Sequence, residues 1–286
     1  MNSKAIFIPC LVFLFSCSPA EKKEDTPPQA ISAILPDAPK DVADSIRKEF
    51  PHAAPVHVLT DSLLDYLSTK YGITADQILL GASTCVDDII YTKNFQAHHE
   101  IRGPFHLGGL AGLPFTGISG LSAFAHHIPE NGTMVMDITP HIGYSKETGW
   151  GYVLRPGQHE PSTCCGALMG TLQKLERGAL KQTAPTEEDY QGIMINNMAL
   201  QHEKEIIGHH NPLVTLTKLI YRVAEKEIVD QVEQVETEHI KYIVVMAGVL
   251  INTDYEYTDY LWLNHFSVYD VKNKVFLVDE KSPVTE

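Results

Sequence analysis

The sequence predicts an α/β fold, a sheet with helices on its faces. Two observations carry that reading. Strand-like and helix-like segments alternate along the chain. Runs such as "QILLGA" and "KYIVVMAGVLIN" are apolar on both faces, as strands covered on both sides are.

The elements follow in order. Residues 41–50, "DVADSIRKEF", read as a short helix with Asp41 as its cap. Residues 60–71 read as a second helix, with Leu63, Leu64 and Leu67 on one face and Gly72 as its stop. A strand from Gln77 to about Ala82 runs into Cys85. Residues 103–120, "GPFHLGGLAGLPFTGISG", hold six glycines and read as neither strand nor helix. The segment lacks the Gly-Lys-Ser/Thr ending of a phosphate loop. "LSAFAHHIP" is a short helix ended by Pro129. "GTMVMDITPHIGYS" is a strand with His141 just past its end. A short strand and loop then deliver Cys164 and Cys165 to a helix carrying Leu168, Leu172 and Leu175. Two more helices, 187–207 and 212–232, are split at Asn211-Pro212. "KYIVVMAGVLIN" is a buried strand, and two last strands flank a Lys272-Asn273-Lys274 turn.

The front of the chain carries Lys4, an apolar run from Ala5 to Phe15, then Ser16-Cys17. That is the pattern of a signal peptide, 1–17, too short to span a bilayer. Its ending resembles a bacterial lipobox, in which Cys17 is lipidated; Phe15 is an atypical occupant of its slot. The polar, proline-bearing residues 18–40 read as a disordered tether. Residues 41–286 then form one domain, long enough for a real core. The expected location is the bacterial cell envelope, lipid-anchored and facing the periplasm or cell surface. A formal net charge of −14 excludes nucleic acid as the natural partner and leaves a small neutral substrate open.

Of five cysteines, Cys10 goes with the signal and Cys17 with the lipid. Cys85, Cys164 and Cys165 remain, an odd number that cannot all pair within one chain. Vicinal cysteines rarely bridge each other. Two accounts stand: a disulfide from Cys85 to one of the pair, or a metal site using two of the three. Cys85 follows one expected strand, His141 another, and Cys164-Cys165 open a helix. Loops at the carboxyl ends of strands in open α/β sheets converge on one crevice. A Cys, a His and a Cys meeting there make a three-ligand zinc site with one open position, the catalytic pattern. A redox pair or buried structural thiols are the rival readings.

Asp87, two residues after Cys85, is placed to accept a hydrogen bond from a metal-bound water. Arg155 and Arg102 are the arginines that could hold it, and Asp88 reads as a helix cap. His126 and His127 are neighbours on a helix and cannot simply chelate one ion. The His98-His99 and His209-His210 pairs read as solvated loops, and "HEKEI" at His202 lacks the second histidine of a zinc-protease motif.

The runs "GGLAGLPFTG", "AFAHHIP", "PHIG" and "CCGA", in that order, resemble the limiting-CO2-inducible protein B family, related to the theta-class carbonic anhydrases. The resemblance is close from Gln77 to Leu175. It implies a β-carbonic-anhydrase-like fold: a mostly parallel sheet flanked by helices, usually in a homodimer. It also implies Zn2+ held by Cys, His and Cys, and reversible hydration of CO2 to bicarbonate and a proton by a zinc-activated water. Carried over, the ligands fall on Cys85, His141 and Cys165, with Cys164 the alternative to Cys165. The choice rests on Gly166, because the last ligand of the β class directly precedes a glycine at a helix start. The β class also pairs an aspartate with an arginine in Cys-x-Asp-x-Arg. Here Asp87 is kept, but Ile89 stands in the arginine's place, so the partner must come from elsewhere, Arg155 being the first candidate. The proton shuttle is sought among His106, His126 and His127. A catalytically silent zinc-binding or bicarbonate-sensing member of the fold is the runner-up, and an envelope thiol-redox protein the reading from another class.

Overall fold

The computed structural model describes residues 35–90 and 101–280. The signal peptide with its Cys17, most of the tether and the His98-His99 pair lie outside those residues.

The chain is already packed before the first helix: Ala38 is buried and the Pro36 carbonyl accepts from Thr258 N at 2.9 Å. Helix α1, Lys40–Glu49, has Pro39 at its N-cap, and Asp41 lies in its first turn instead of capping it. A carboxylate there still meets the positive end of the helix dipole. Strand β1, Ala54–Pro55, leads into α2, Val56–Tyr71, which starts earlier than its leucine face suggests. Gly72 ends it in the left-handed region, at φ 66°.

Strand β2, Ile78–Thr84, is followed by β3, Arg102–His106. The glycine-rich segment therefore departs from expectation: its first residues form a strand parallel to β2. Neighbouring strands decided this, since strand formation depends more on context than on local propensity. The rest turns back over the end of β2. A side chain on Gly108 would put its Cβ 2.1 Å from the Thr84 carbonyl oxygen, so only glycine allows that approach. Helix α3, Gly117–His126, completes the segment.

Strand β4, Thr133–Thr139, stops at Pro140, and β5, His141–Ser145, begins at once. His141 thus opens a strand of its own beside Leu250, where the sequence placed it in a loop. Short strands β6, Gly149–Trp150, β7, Tyr152–Val153, and β8, Ser162–Thr163, carry the chain to α4, Gly166–Glu176. Leu168, Leu172 and Leu175 are the buried apolar face of α4. The next expected helix is broken at His202 into α5, Tyr190–Gln201, and α6, Glu203–Ile207. Asp189 caps α5, accepting from Gly192 N at 3.0 Å. Helix α7, Pro212–Val232, starts with Asn211 as cap and proline in its first turn. Strands β9, Tyr242–Thr253, β10, Tyr260–Asp270, and β11, Val275–Glu280, close the chain.

The main sheet runs β1-β10-β9-β4-β2-β3, with β11 on β10, β5 on β9 and β6 on β5. Its centre, β3-β2-β4-β9 with β5, is parallel; β10 runs antiparallel to β9, β1 and β11. Helices flank both faces. Leu63 and Leu67 of α2 meet Ile78, Leu80, Val135 and Met246 around a small gap. Ala247, one residue on from Met246, points the other way by the two-residue period of a strand. Its partner His265 reaches Glu225 of α7 on that second face. Among the described residues no helix is long and apolar enough to cross a membrane.

Candidate metal centre

Three elements end at one point. Cys85 follows β2, His141 opens β5, and Cys165 is the N-cap residue of α4. Their ligand atoms lie within 4.8 Å of one another. Cys85 Sγ stands 3.8 Å from Cys165 Sγ, and all three residues are buried, His141 completely. The thiols of Cys85, Cys164 and Cys165 are free, as the metal-site account requires.

The cysteine pair is laid down by a short ladder. Gly143 N donates to Cys164 O, Cys164 N to Gly151 O, and Gly151 N to Gly143 O, each at 2.8 Å. A Cβ on Gly143 would fall 2.8 Å from both Cys164 Cβ and Tyr152 O, so glycine lets the loop lie against β5. Cys164 Sγ meets the other edge of the imidazole, 3.5 Å from Nδ1, and lies 3.6 Å from Asn252 Oδ1. With Asp87 and His141 it forms a second, overlapping group of close donors.

The aspartate has an arginine after all. Arg155, between β7 and β8, puts Nη2 2.9 Å from Asp87 Oδ1 and Nε 3.1 Å from Asp88 Oδ1. Its remaining nitrogen donates to Ser162 Oγ at 2.7 Å and Thr163 O at 3.2 Å. Asp88 is therefore an ion-pair partner of Arg155. Arg102, the other candidate, bonds the Asp76 carbonyl instead. Burial by itself would raise the Asp87 pKa. The hydrogen bond with Asp88, the charge on His141 and the Arg155 guanidinium outweigh it and hold the carboxyl below its usual range. The free oxygen, Oδ2, stands 3.9 Å from His141 Nε2.

Burial opposes a charged His141, but the Cys164 and Cys85 sulfurs beside it draw its pKa well above the ordinary value. The hydrogen bond with Cys165, then burial, push the Cys85 thiol up. His141 Nδ1 is 2.8 Å from Asn252 Oδ1, while Nε2 is buried without a hydrogen-bond partner. An orphaned buried polar atom costs about 1–3 kcal/mol. A cation shared with two thiolates removes that cost, so the residues fit a metal ion.

The scan of family models matches residues 56–270 to the limiting CO2-inducible proteins B/C beta carbonic anhydrases. The chain belongs to that family. Among solved structures, this family member is similar to PtLCIB4, a homolog of the limiting CO2-inducible protein LCIB. The two share 25% identity at a TM-score of 0.72, over 83% of this chain and 99% of that one. LCIB itself matches at 17% identity and a TM-score of 0.62, over 82% of this chain and 96% of that one, which shows the shared fold. No curated protein matches this member of the family.

Of the histidines sought as proton shuttles, His106, His126 and His127 are all exposed, and His127 Nδ1 faces the Ala123 carbonyl at 2.5 Å. Sequence reasoning missed Asn252, Asp254 and Asp259. Asp254 accepts from Leu154 N at 2.8 Å and from Ser145 Oγ and Lys146 N at 3.2 Å, which fixes the start of the Arg155 loop. The only signal was an Asn-Thr-Asp run closing an apolar strand, and such residues ordinarily read as turn formers.

Proposed function

We propose that the protein is a zinc carbonic anhydrase that reversibly hydrates CO2 to bicarbonate and a proton. One observation carries the reading: a buried imidazole nitrogen without a partner, on a ring packed against two free cysteine sulfurs. Two sulfurs and one imidazole suit zinc and leave it one open position. When bound, zinc lowers the pKa of a water at that position to about 7 and so supplies the nucleophile.

Cys85, His141 and Cys165 hold the ion in this proposal. Asp87 keeps an acceptor oxygen, Oδ2, beside the ligand set, where it orients an incoming water by accepting its hydrogen bond. Arg155 grips Oδ1 and so restrains Asp87 from swinging in as a fourth ligand. Cys85, His141 and Cys165 are buried and the Asp87 side chain is 13% exposed, which limits the access of bulk solvent to the ion in this reading.

The test is zinc content together with stopped-flow CO2 hydration, with Cys85→Ser and His141→Ala as controls. One zinc per chain and hydration well above both controls support the proposal; a metal-free protein ends it. A second reading, a silent zinc-binding member, is favoured by Ile89 in the place of the β class's arginine. Zinc without hydration would select it. The proposal includes a homodimer, checked by mass in solution, and lipid attachment at Cys17, checked by fatty-acid labelling with Cys17→Ser as the blank.

A further inference from the structure

Hydrogen-bond directions around His141 form a chain with one solution. Asp259, fully buried, accepts from Thr253 N at 2.9 Å through one carboxylate oxygen. Its other oxygen lies 2.9 Å from Asn252 Nδ2. A carboxylate only accepts, so the Asn252 amide must turn its NH2 towards Asp259. That leaves Oδ1 towards His141 Nδ1, and an amide oxygen only accepts, so Nδ1 must carry the hydrogen. The nitrogen remaining for a ligand is Nε2, the one buried without a partner. Cys164 Sγ, 3.6 Å away, directs its S–H to the same Asn252 oxygen.

We infer that Asp259 and Asn252 are positioning residues that fix the tautomer and the angle of His141 for metal, and that Cys164 belongs to this frame and is not a ligand. The inference rests on the zinc-site reading above. Asn252 is spent on Nδ1, and Cys164 Sγ meets the ring at that same nitrogen, 3.5 Å from it. The pair of cysteines then divides the work: Cys165 at the helix start holds the ion, and Cys164 helps hold the histidine. Asn252 and Asp259 sit at either end of the turn between β9 and β10, so one turn sets the histidine from behind.

The experiment measures zinc affinity of the full chain, stripped of metal, by competition with a chromophoric chelator. The proteins are wild type, Asp259→Asn, Asn252→Leu, Cys164→Ser and Cys165→Ser. Asn197→Leu is the control, a buried amide that bonds only around Thr183. Outer partners of metal-bound histidines change affinity about 10–100-fold, and that is the loss expected for Asp259→Asn and Asn252→Leu. Asn197→Leu should lower the melting temperature and leave zinc affinity in place. Cys164→Ser, which keeps a donor, should stay within a few-fold of wild type, while Cys165→Ser loses stoichiometric zinc. If Asn252→Leu does not fold, Asp259→Asn alone decides. Folded Asp259→Asn with wild-type zinc affinity overturns the positioning role, and loss of zinc in Cys164→Ser with retention in Cys165→Ser overturns the division of the pair. Wild type that binds no zinc overturns the zinc-site reading itself, and the inference falls with it.

Discussion

His141 and His265 stand on strands of one sheet, and each meets a polar neighbour at Nδ1, yet their second nitrogens differ. His265 Nδ1 meets Glu225 of α7 and its Nε2 lies 3.2 Å from Asp279 of β11. Both nitrogens are spent on carboxylates. His141 gives Nδ1 to a neutral amide and leaves Nε2 without a hydrogen-bond partner beside two thiols. The first is an ionic strut tying a helix to two strands. The second is a buried ring nitrogen left open to a ligand. A ligand histidine is thus recognised by the nitrogen its neighbours leave alone.

The largest effects break the comparison directly. Cys85→Ser, His141→Ala and Cys165→Ser should each lose stoichiometric zinc and lower hydration by more than about a hundredfold, since loss of an outer partner alone costs 10–100-fold. His265→Gln should keep its zinc. Metal analysis beside stopped-flow rates checks both sides, and a zinc-free His265→Gln would erase the distinction.

Arg155 sharpens it at the next level. Its two charged bonds hold Asp87 and Asp88, with side chains of Arg155 and Asp87 only 14% and 13% exposed. Arg155→Leu should keep zinc and lower turnover by about 10–100-fold, the range for partners that orient a metal site. Turnover equal to wild type would remove the Asp87–Arg155 pair from the mechanism. Gly143→Ala acts more weakly and through packing. Its new Cβ would press on Cys164 Cβ and Tyr152 O at 2.8 Å. Overpacking of this kind costs about 1–3 kcal/mol, which thermal melting would record as a loss of several degrees.

Cys85, His141 and Cys165 were legible as a candidate site, the first two from the strands they follow and Cys165 from the family resemblance at Gly166. Arg155 was legible only as the nearest arginine: its contact with Asp87 closes a long loop that no local spacing encodes. Asn252 and Asp259 were hidden, since a buried asparagine at the end of a strand has the same sequence signature as a turn. β3 was hidden by Gly103 and Pro104, which mask a strand whose formation depends on β2 beside it. The cysteine pair could be counted from the sequence, but which sulfur faces which edge of the imidazole is a property of the Gly143 ladder.

The smallest effect is the pH dependence of the strut. The Glu225 hydrogen bond, against the opposing effect of burial, raises the His265 pKa above its usual value, and Asp279 adds to the rise. Tyr221 on the same face, raised by burial and by Glu225, stays neutral across the range. A histidine raised on folding stabilises the protein fully below its unfolded pKa of about 6.5 and loses that contribution as pH climbs through the folded value. The melting-temperature gap between wild type and His265→Gln should therefore be widest in mildly acidic buffer and close as the solution turns alkaline. Asp279, 59% exposed, adds little, so Asp279→Asn should narrow the gap far less than Glu225→Gln. A gap that stays constant with pH would mean that His265 acts there by packing and not by charge.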